Sequence, residues 1–398
     1  MVMRMALKIR ENSITSGLIK DAFLVSFPAL LLCLLLDFFA GAFLGKFFTL
    51  IRTEYPIILV ILPGLMGMRG NIFGAMASRF STMLYLGEIS PSLKDRNVLK
   101  NIFLSIVLSL IPVLLLWLVG ALKVRNVDVA IAVLLIVLVS TIYASLFLGT
   151  ATAITTVLPY KKGIDPDSVA APIITSVADL ITIPLLVGFI LLYPHKQTFI
   201  ALTVVSIVIL GILRGYSKLN REDLKFLREL LTIIGGLALL SSITGSLLES
   251  YSKLIDSVAI FSVMYPMVLD TTGNLGSIIG AKTSTKLHLE GIEKIINLDI
   301  LKEITVYSLL ALPLGIVGNV IGMELTKLLL HRKAEIIPHF ILLYPVFVFS
   351  VLWFAYFLAI VADRAKLDPD NVTVPTITTL SDVFSTLFIV GIAKIVVG

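Results

Sequence analysis

Apolar residues along this chain occur in long runs that are separated by short polar segments. Runs of about 20 residues can cross the hydrocarbon core of a bilayer as helices. The pattern predicts helices near 21–47, 55–87, 100–122, 128–159, 169–194, 197–214, 229–249, 255–288, 303–330, 337–362 and 371–397. The predicted fold is an all-α polytopic membrane protein with about 11 transmembrane helices.

The five helices before segment 197–214 and the five after it share a pattern at a constant offset of 203 residues. Asp165–Gly188 reads DPDSVAAPIITSVADLITIPLLVG, and Asp368–Gly391 reads DPDNVTVPTITTLSDVFSTLFIVG. The same offset relates Pro63–Thr82 to Pro266–Thr285. Shared Leu, Ile and Val are common in any two apolar helices, whereas repeated Asp, Asn, Pro and Gly are not. We therefore predict two related five-helix repeats.

The sixth predicted span determines how the repeats are oriented. Five spans alone would invert the second copy, so a linking helix lets both repeats enter from the same face. The predicted parts are a basic amphipathic segment (1–20), a first repeat (21–194), a linking helix and loop (195–223) and a second repeat (224–398). The repeats should be parallel, related by about half a turn around the membrane normal.

Composition and charge agree with a membrane protein. The chain is 58% hydrophobic and 15% charged, with a mean hydropathy of +1.02. The predicted inner segments carry about twice as many Lys and Arg as the outer ones. This asymmetry explains the net charge of +6 without a nucleic-acid partner. It predicts a multi-pass plasma-membrane protein with a cytoplasmic N-terminus and an extracytoplasmic C-terminus.

Two carboxylates lie near the middle of predicted spans, Asp179 and Asp382. A charge at the centre of a spanning helix costs roughly 2.5–3.5 kcal/mol on insertion scales, so its duplication favours a function. The alternative is a structural role inside the helix bundle. We expect amide and hydroxyl oxygens nearby, from Asn71, Asn274, Thr175 and Thr378. Such an all-oxygen environment suits a hard divalent cation, and Mg²⁺ would be held with much of its water.

Further residues are candidates for lining or tuning a path. Gly70 and Gly273 precede the two Asn residues, and close helix packing is the alternative role for such glycines. Arg69 and Asp270 have no charged counterparts in the other repeat, and we predict that they pair. Asp37 is also one-sided and serves either as a partner or as a ligand.

At these residues the chain resembles the MgtE-type magnesium transporters, and more closely the two-repeat solute carriers of family forty-one. The motifs are P…G-x-x-GN…ASR-x-ST at Pro63–Thr82 and DP…P-x-x-T-x-x-x-D at Asp165–Asp179. The resemblance implies that Asp179 and Asp382 stand where the family's pore aspartate binds Mg²⁺. It also implies a pseudo-dimer within one chain, which is compatible with a monomer. The second copy departs from the pattern at Asp270, Thr272 and Lys282.

The leading hypothesis is transport of Mg²⁺ or a similar divalent cation along a path between the two pseudo-symmetric halves. The first alternative is a coupled exchanger in the same fold, with Na⁺ or H⁺ as the coupling ion. A non-transporting membrane scaffold and an enzyme are alternatives from other classes. We do not expect an enzyme, because no nucleophile-and-base arrangement or His or Cys metal motif is present in the sequence.

Overall fold

A computed structural model of the chain describes residues 17–93, 95–162, 170–217, 219–290, 298–366 and 369–398. Every regular element within these ranges is helical, and a π-helical turn at Asp21–Ser26 leads into the first α-helix. The α-helices are α1 (Phe27–Glu54), α2 (Pro56–Tyr85), α3 (Arg96–Val124), α4 (Val127–Lys161), α5 (Ala170–Leu192), α6 (Lys196–Tyr216), α7 (Arg221–Ser250), α8 (Ser252–Ser257), α9 (Ala259–Glu290), α10 (Leu298–Leu309), α11 (Ala311–Leu330), α12 (Pro338–Arg364) and α13 (Pro369–Val397).

The predicted class of fold, an all-α polytopic membrane protein, is confirmed. Within the described ranges, nine helical segments are long and apolar enough to cross a membrane. The two predicted spans outside these nine correspond to α5 and α9. Among the described residues of α5, a shorter apolar stretch runs from Leu180 to Leu192. Helix α9 is 32 residues long but contains many polar side chains, so the number 11 stays a prediction.

Two helices differ from their predicted bounds for local reasons. Helix α7 begins at Arg221 rather than near 229, because the Asn220 side chain and Asp223 form a reciprocal capping box. The predicted span 303–330 is divided at Leu310 into α10 and α11. Pro313 follows this break, and its missing amide hydrogen cannot extend the preceding helix.

Contacts divide the chain into two compact units. Unit 1 comprises Met1–Ala42 and Leu254–Gly398, and unit 2 comprises Phe43–Lys253. Unit 1 thus joins the first part of α1 to α9–α13, whereas unit 2 joins α2–α6 to α7. The first helix of each sequence repeat therefore belongs largely to the unit that contains the other repeat's remaining helices. The compact units differ from the repeats 21–194 and 224–398, whose boundaries as domains stay a prediction.

Helices α1 and α7 each have a glycine that packs closely against the backbone of the neighbouring helix, α9 for α1 and α2 for α7. In unit 1, a Cβ on Gly41 of α1 would overlap the carbonyl oxygen of Val263 on α9. In unit 2, a Cβ on Gly245 of α7 would overlap the carbonyl oxygen of Val60 on α2. Val60 and Val263 are equivalent at the offset of 203 residues. Small residues allow this close approach of helix backbones, and the same kind of contact is therefore present in both units.

Helices α2 and α9 hold the central position in their units. Helix α2 contacts α3, α4, α5 and α7, and α9 contacts α11, α12 and α13. Both helices continue through their internal prolines, Pro63 and Pro266. The Gly-Asn pairs that the sequence singled out lie further along these same helices. Their side chains are therefore positioned by the most extensively packed helix of each unit.

A buried carboxylate fixes the beginning of α7 in unit 2. Asp223 is 1% exposed and accepts from Arg79 at 2.7 Å. Its second oxygen lies 3.0 Å from Lys100 Nζ. The Arg79 guanidinium also stacks on Phe226, 4.1 Å from the ring centre. In unit 1, the residue equivalent to Arg79 is Lys282, and Glu303 of α10 is its partner at 3.2 Å.

We expect Asp223→Ala to lower the free energy of unfolding by about 2–3 kcal/mol, because the half-buried Arg79 and the buried Lys100 lose their carboxylate and α7 loses its capping box. Reversible denaturation in mixed micelles measures this change. Glu229→Ala on the same helix is the matched control, since Glu229 pairs with Lys225 at 3.8 Å in an exposed position. The control should change stability by less than about 0.5 kcal/mol. Equal stability of the two variants would show that the buried contacts do not anchor α7.

Candidate cation-binding site

In unit 1, helices α9 and α13 bring together the site residues predicted in the second repeat. A Cβ on Gly273 would meet Ser381 Oγ at 3.1 Å and Thr378 Cα at 3.7 Å. Asn274 follows Gly273 and Asp382 follows Ser381, so both lie beside this helix contact. Thr378, Asn274 and Asp382 are half-buried. Carboxylate, amide and hydroxyl oxygens of the second repeat are thus gathered on two packed helices.

A buried tyrosine supports α13 next to Asp382. The Thr386 hydroxyl donates to the backbone carbonyl of Asp382 at 2.8 Å, and it lies 2.8 Å from the Tyr265 hydroxyl. Because the single Thr386 proton is used on the carbonyl, Tyr265 must donate to Thr386. Tyr265 is fully buried on α9. This chain of hydrogen bonds joins α9 to α13 one turn beyond the carboxylate. The sequence pattern gave no indication of it.

A second polar group on α9 links Asn274 to α1. The Asn274 side-chain amide donates to Asp270 Oδ2 at 2.6 Å, one helical turn away. Asp270 also forms a side-chain hydrogen bond with Asp37 of α1, which is 2% exposed. A hydrogen bond between two carboxyl groups requires a proton on one of them. Asp37, whose role the sequence left open, is a partner of Asp270.

The two units keep one polar contact at equivalent positions but use different groups for it. In unit 1, the Thr272 hydroxyl lies 3.1 Å from the Tyr344 hydroxyl. In unit 2, the equivalent residues are Arg69 and Thr141, and Arg69 Nη2 donates to the Thr141 hydroxyl at 3.4 Å. Arg69 is 1% exposed. The correspondence of residues at the offset of 203 therefore includes side-chain contacts. The predicted pairing of Arg69 with Asp270 stays a prediction.

The site residues of the first repeat lie on α2 and α5, which contact each other as α9 and α13 do. Gly70 and Asn71 are half-buried on α2. Thr175 and Asp179 lie on α5, but their side chains are outside the described residues. Gly273, the counterpart of Gly70, is buried against α13, so close packing is the contact that it makes. Pore lining by either glycine stays a prediction.

The chemistry of these groups suits a hydrated cation more than a tightly coordinated metal. Within the part of the chain that the structure describes, no group of three or more His, Cys, Asp or Glu residues could hold a metal ion. The second-repeat donors are oxygens from a carboxylate, an amide and a hydroxyl. Oxygen ligands select hard cations, and Mg²⁺ usually keeps several waters when only one or two carboxylates approach it. The residues present therefore fit Mg²⁺ as a cargo bound through water.

The long apolar helices define a multi-pass membrane protein. The sequence profile of the MgtE family, described as divalent cation transporter, matches residues 62–189 and 265–392. The chain belongs to this family. The two matched segments are also related by the offset of 203 residues, so the family resemblance seen in the motifs is confirmed for both repeats.

Curated relatives are members of one group of solute carriers. The chain is 25% identical over 358 residues to Solute carrier family 41 member 3 of Rattus norvegicus, covering 83% of this chain and 77% of the relative. It is 27% identical over 369 residues to Solute carrier family 41 member 2 of Gallus gallus, covering 83% of this chain and 62% of the relative. The human member 2 is 26% identical, with the same shares covered. No solved structure matches the chain significantly.

Proposed function

We propose that this protein transports Mg²⁺ across the membrane along one path to which each repeat contributes an intramembrane aspartate, Asp179 and Asp382. The observation that carries the proposal is the duplication of this aspartate, in the same frame, within a family described as divalent cation transporter. A carboxylate inside a spanning helix is costly, so its retention at two equivalent positions favours use over chance.

The ion moves as a hydrated species. Stripping all waters from Mg²⁺ would require a dedicated oxygen cage, and the second-repeat site offers one carboxylate with an amide and a hydroxyl beside it. The Thr378 hydroxyl proton is engaged by backbone carbonyls of its own helix, at 3.1 Å from Val374 and 2.9 Å from Pro375. Its oxygen keeps its capacity to accept a hydrogen bond, which suits the water shell of a cation. Asn71 and Thr175 are the equivalent groups of the first repeat.

The protein is oriented with its N-terminus in the cytoplasm and its C-terminus outside the plasma membrane. This orientation follows from the excess of Lys and Arg on the inner segments. The two repeats are parallel, so their carboxylates face the path at the same depth. A transporter built in this way is a pseudo-dimer within one chain and is functional as a monomer.

Coupling to a second ion is the main alternative mechanism, and one experiment tests both. The purified chain is reconstituted into liposomes that contain a Mg²⁺-sensitive dye, and uptake is followed with and without an opposing Na⁺ or pH gradient. We expect Mg²⁺ uptake well above that of empty liposomes. Acceleration by either gradient would identify a coupled exchanger. Uptake no faster than in empty liposomes under all gradients would reject transport and favour a scaffold.

A further inference from the structure

The structure shows an asymmetry in how the two Asn side chains of the candidate site are held. Asn274 donates its amide to Asp270 Oδ2 at 2.6 Å, and Asp270 is in turn bonded to Asp37. In unit 2, Asn71 has Gly67 at the position of Asp270, and Leu240 stands at the position of Asp37. A Cβ on Gly67 would meet nothing within 4 Å. The hydrogen-bonded pair of carboxyl groups is therefore a feature of unit 1, with no equivalent pair in unit 2.

An asparagine side chain presents different chemistry at its two ends. Its NH₂ group donates two hydrogens and repels cations, whereas its carbonyl oxygen accepts and attracts them. A carboxyl oxygen that carries no proton can only accept, and Asp270 Oδ2 accepts from the NH₂ end of the Asn274 amide. With that end turned to Asp270, the Asn274 oxygen points away from α9's acidic group and is free to face a cation or its water.

We propose that Asp270, itself held by Asp37, is a positioning residue that presets the Asn274 side chain with its oxygen toward the transported cation. This inference rests on the proposed function, because it assigns Asn274 as a ligand. The Asp37–Asp270 pair does not bind the cation. It lowers the cost of binding by fixing a side chain that would otherwise have to select one orientation when the ion arrives. Asn71 has no carboxyl group at the equivalent position, because Gly67 stands there.

A double-variant cycle tests whether Asp270 acts through Asn274. Initial rates of Mg²⁺ uptake into proteoliposomes are measured against Mg²⁺ concentration for wild type, Asp270→Ala, Asn274→Ala and the double variant. We expect each single variant to raise the KM about tenfold while the maximal rate changes less. The double variant should be no worse than Asn274→Ala, because the positioning residue has nothing left to position. Effects that multiply in the double variant would overturn the proposal.

The isosteric variant Asp270→Asn separates position from charge. Its carbonyl oxygen still accepts from Asn274 and its amide still reaches Asp37, so the KM should stay within about twofold of wild type. If Asp270 acted only through its charge, Asp270→Asn would raise the KM as much as Asp270→Ala does. If Asp270→Asn raised the KM tenfold and Arg69→Met restored it, charge balance with Arg69 would be the role and positioning would be rejected. Melting temperatures in detergent, measured for every variant, identify losses that come from misfolding.

Failure of the inference can be told from failure of the proposed function. If Asn274→Ala transports Mg²⁺ with the wild-type KM, Asn274 is not a ligand and the inference is overturned. Transport by the Asp179 and Asp382 variants then reports on the proposed function independently. If Asn274→Ala is impaired and the cycle shows independent effects, the ligand assignment stands and only the positioning role is rejected.

Discussion

Asp179→Asn and Asp382→Asn are each expected to lower Mg²⁺ uptake about tenfold or more, and the double variant should lose little beyond either single variant. A divalent ion that passes both carboxylates is attracted by each of them, and a local dielectric below that of water strengthens each attraction. Removing one charge lowers the stability of the bound ion by more than about 1.4 kcal/mol, the equivalent of tenfold. Asn keeps the size of Asp, so folding should survive.

The measurement is uptake into proteoliposomes at matched reconstitution for wild type, both single variants and the double variant. Asp128→Asn is the matched control, because Asp128 is exposed in the first turn of α4 and has no proposed role in the path. It should transport at the wild-type rate. A control that also loses uptake would point to a general loss of charge or folding.

The pattern of the four rates distinguishes one shared path from two separate ones. If each repeat formed its own path, each single variant would keep about half of the flux, as expected of independent sites. If one path passes both residues, either substitution suffices to block it. Wild-type rates in all three variants would make the aspartates structural, and the proposed path would have to be abandoned.

The class of fold could be predicted because a bilayer imposes a simple rule on the sequence. A spanning helix must satisfy its own backbone groups, so apolar length alone locates most helices. The pattern fails where polar contacts decide. Helix α7 begins at Arg221 because its first turns are polar and are secured by Asp223, which contacts Arg79 and Lys100 from other helices. Such partners are distant in sequence and leave no periodic signal.

The candidate site was predictable only as far as the repeat reaches. Residues that occur twice, such as Asn274 and Asp382, are identified by the repeat, and the structure places both beside the contact of α9 with α13. Residues that occur once are not identified in this way. Asp37 and Asp270 bond to each other, but they are 233 positions apart and have no counterparts in the other repeat. Tyr265 likewise reads as one more apolar position of its helix.

The exchange of first helices was beyond the sequence argument for a different reason. The repeat frame shows which residues are equivalent, but it does not show which copy of α1 or α7 packs on which copy of α2 or α9. A glycine on each first helix is compatible with either arrangement. The division into compact units, and the contacts of Gly41 with Val263 and of Gly245 with Val60, reveal that the first helices are exchanged.

Gly245→Ala is expected to destabilise the protein by about 3 kcal/mol or to prevent its folding. The added methyl group would overlap the carbonyl group of Val60, which belongs to the backbone of α2. Overpacking typically costs about 1–3 kcal/mol when side chains can adjust, and a backbone obstacle leaves only a shift of the whole helix. Gly41→Ala should behave in the same way, because Val263 presents the equivalent carbonyl to α1.

Two other glycines provide the scale for this measurement. A Cβ on Gly236, also on α7, would meet nothing within 4 Å, so Gly236→Ala should be neutral or stabilising by up to about 1 kcal/mol. A Cβ on Gly64 would lie 2.7 Å from the Leu116 side chain, which can change its rotamer. Gly64→Ala should therefore be intermediate. In mixed micelles, the free energy of unfolding should be highest for Gly236→Ala, intermediate for Gly64→Ala and lowest for Gly245→Ala.

The ranking tests whether α7 packs on α2. If Gly245 faced lipid instead, Gly245→Ala would be neutral or stabilising, as expected for Gly236→Ala. Truncating Val60 to Ala gives a further distinction. It should not restore Gly245→Ala, because the obstacle is the carbonyl oxygen and not the valine side chain. Restoration would mean that α7 contacts the Val60 side chain, and the close backbone approach would then be wrong. Equal stability of Gly245→Ala and Gly236→Ala would show that α7 does not pack on α2 at this position.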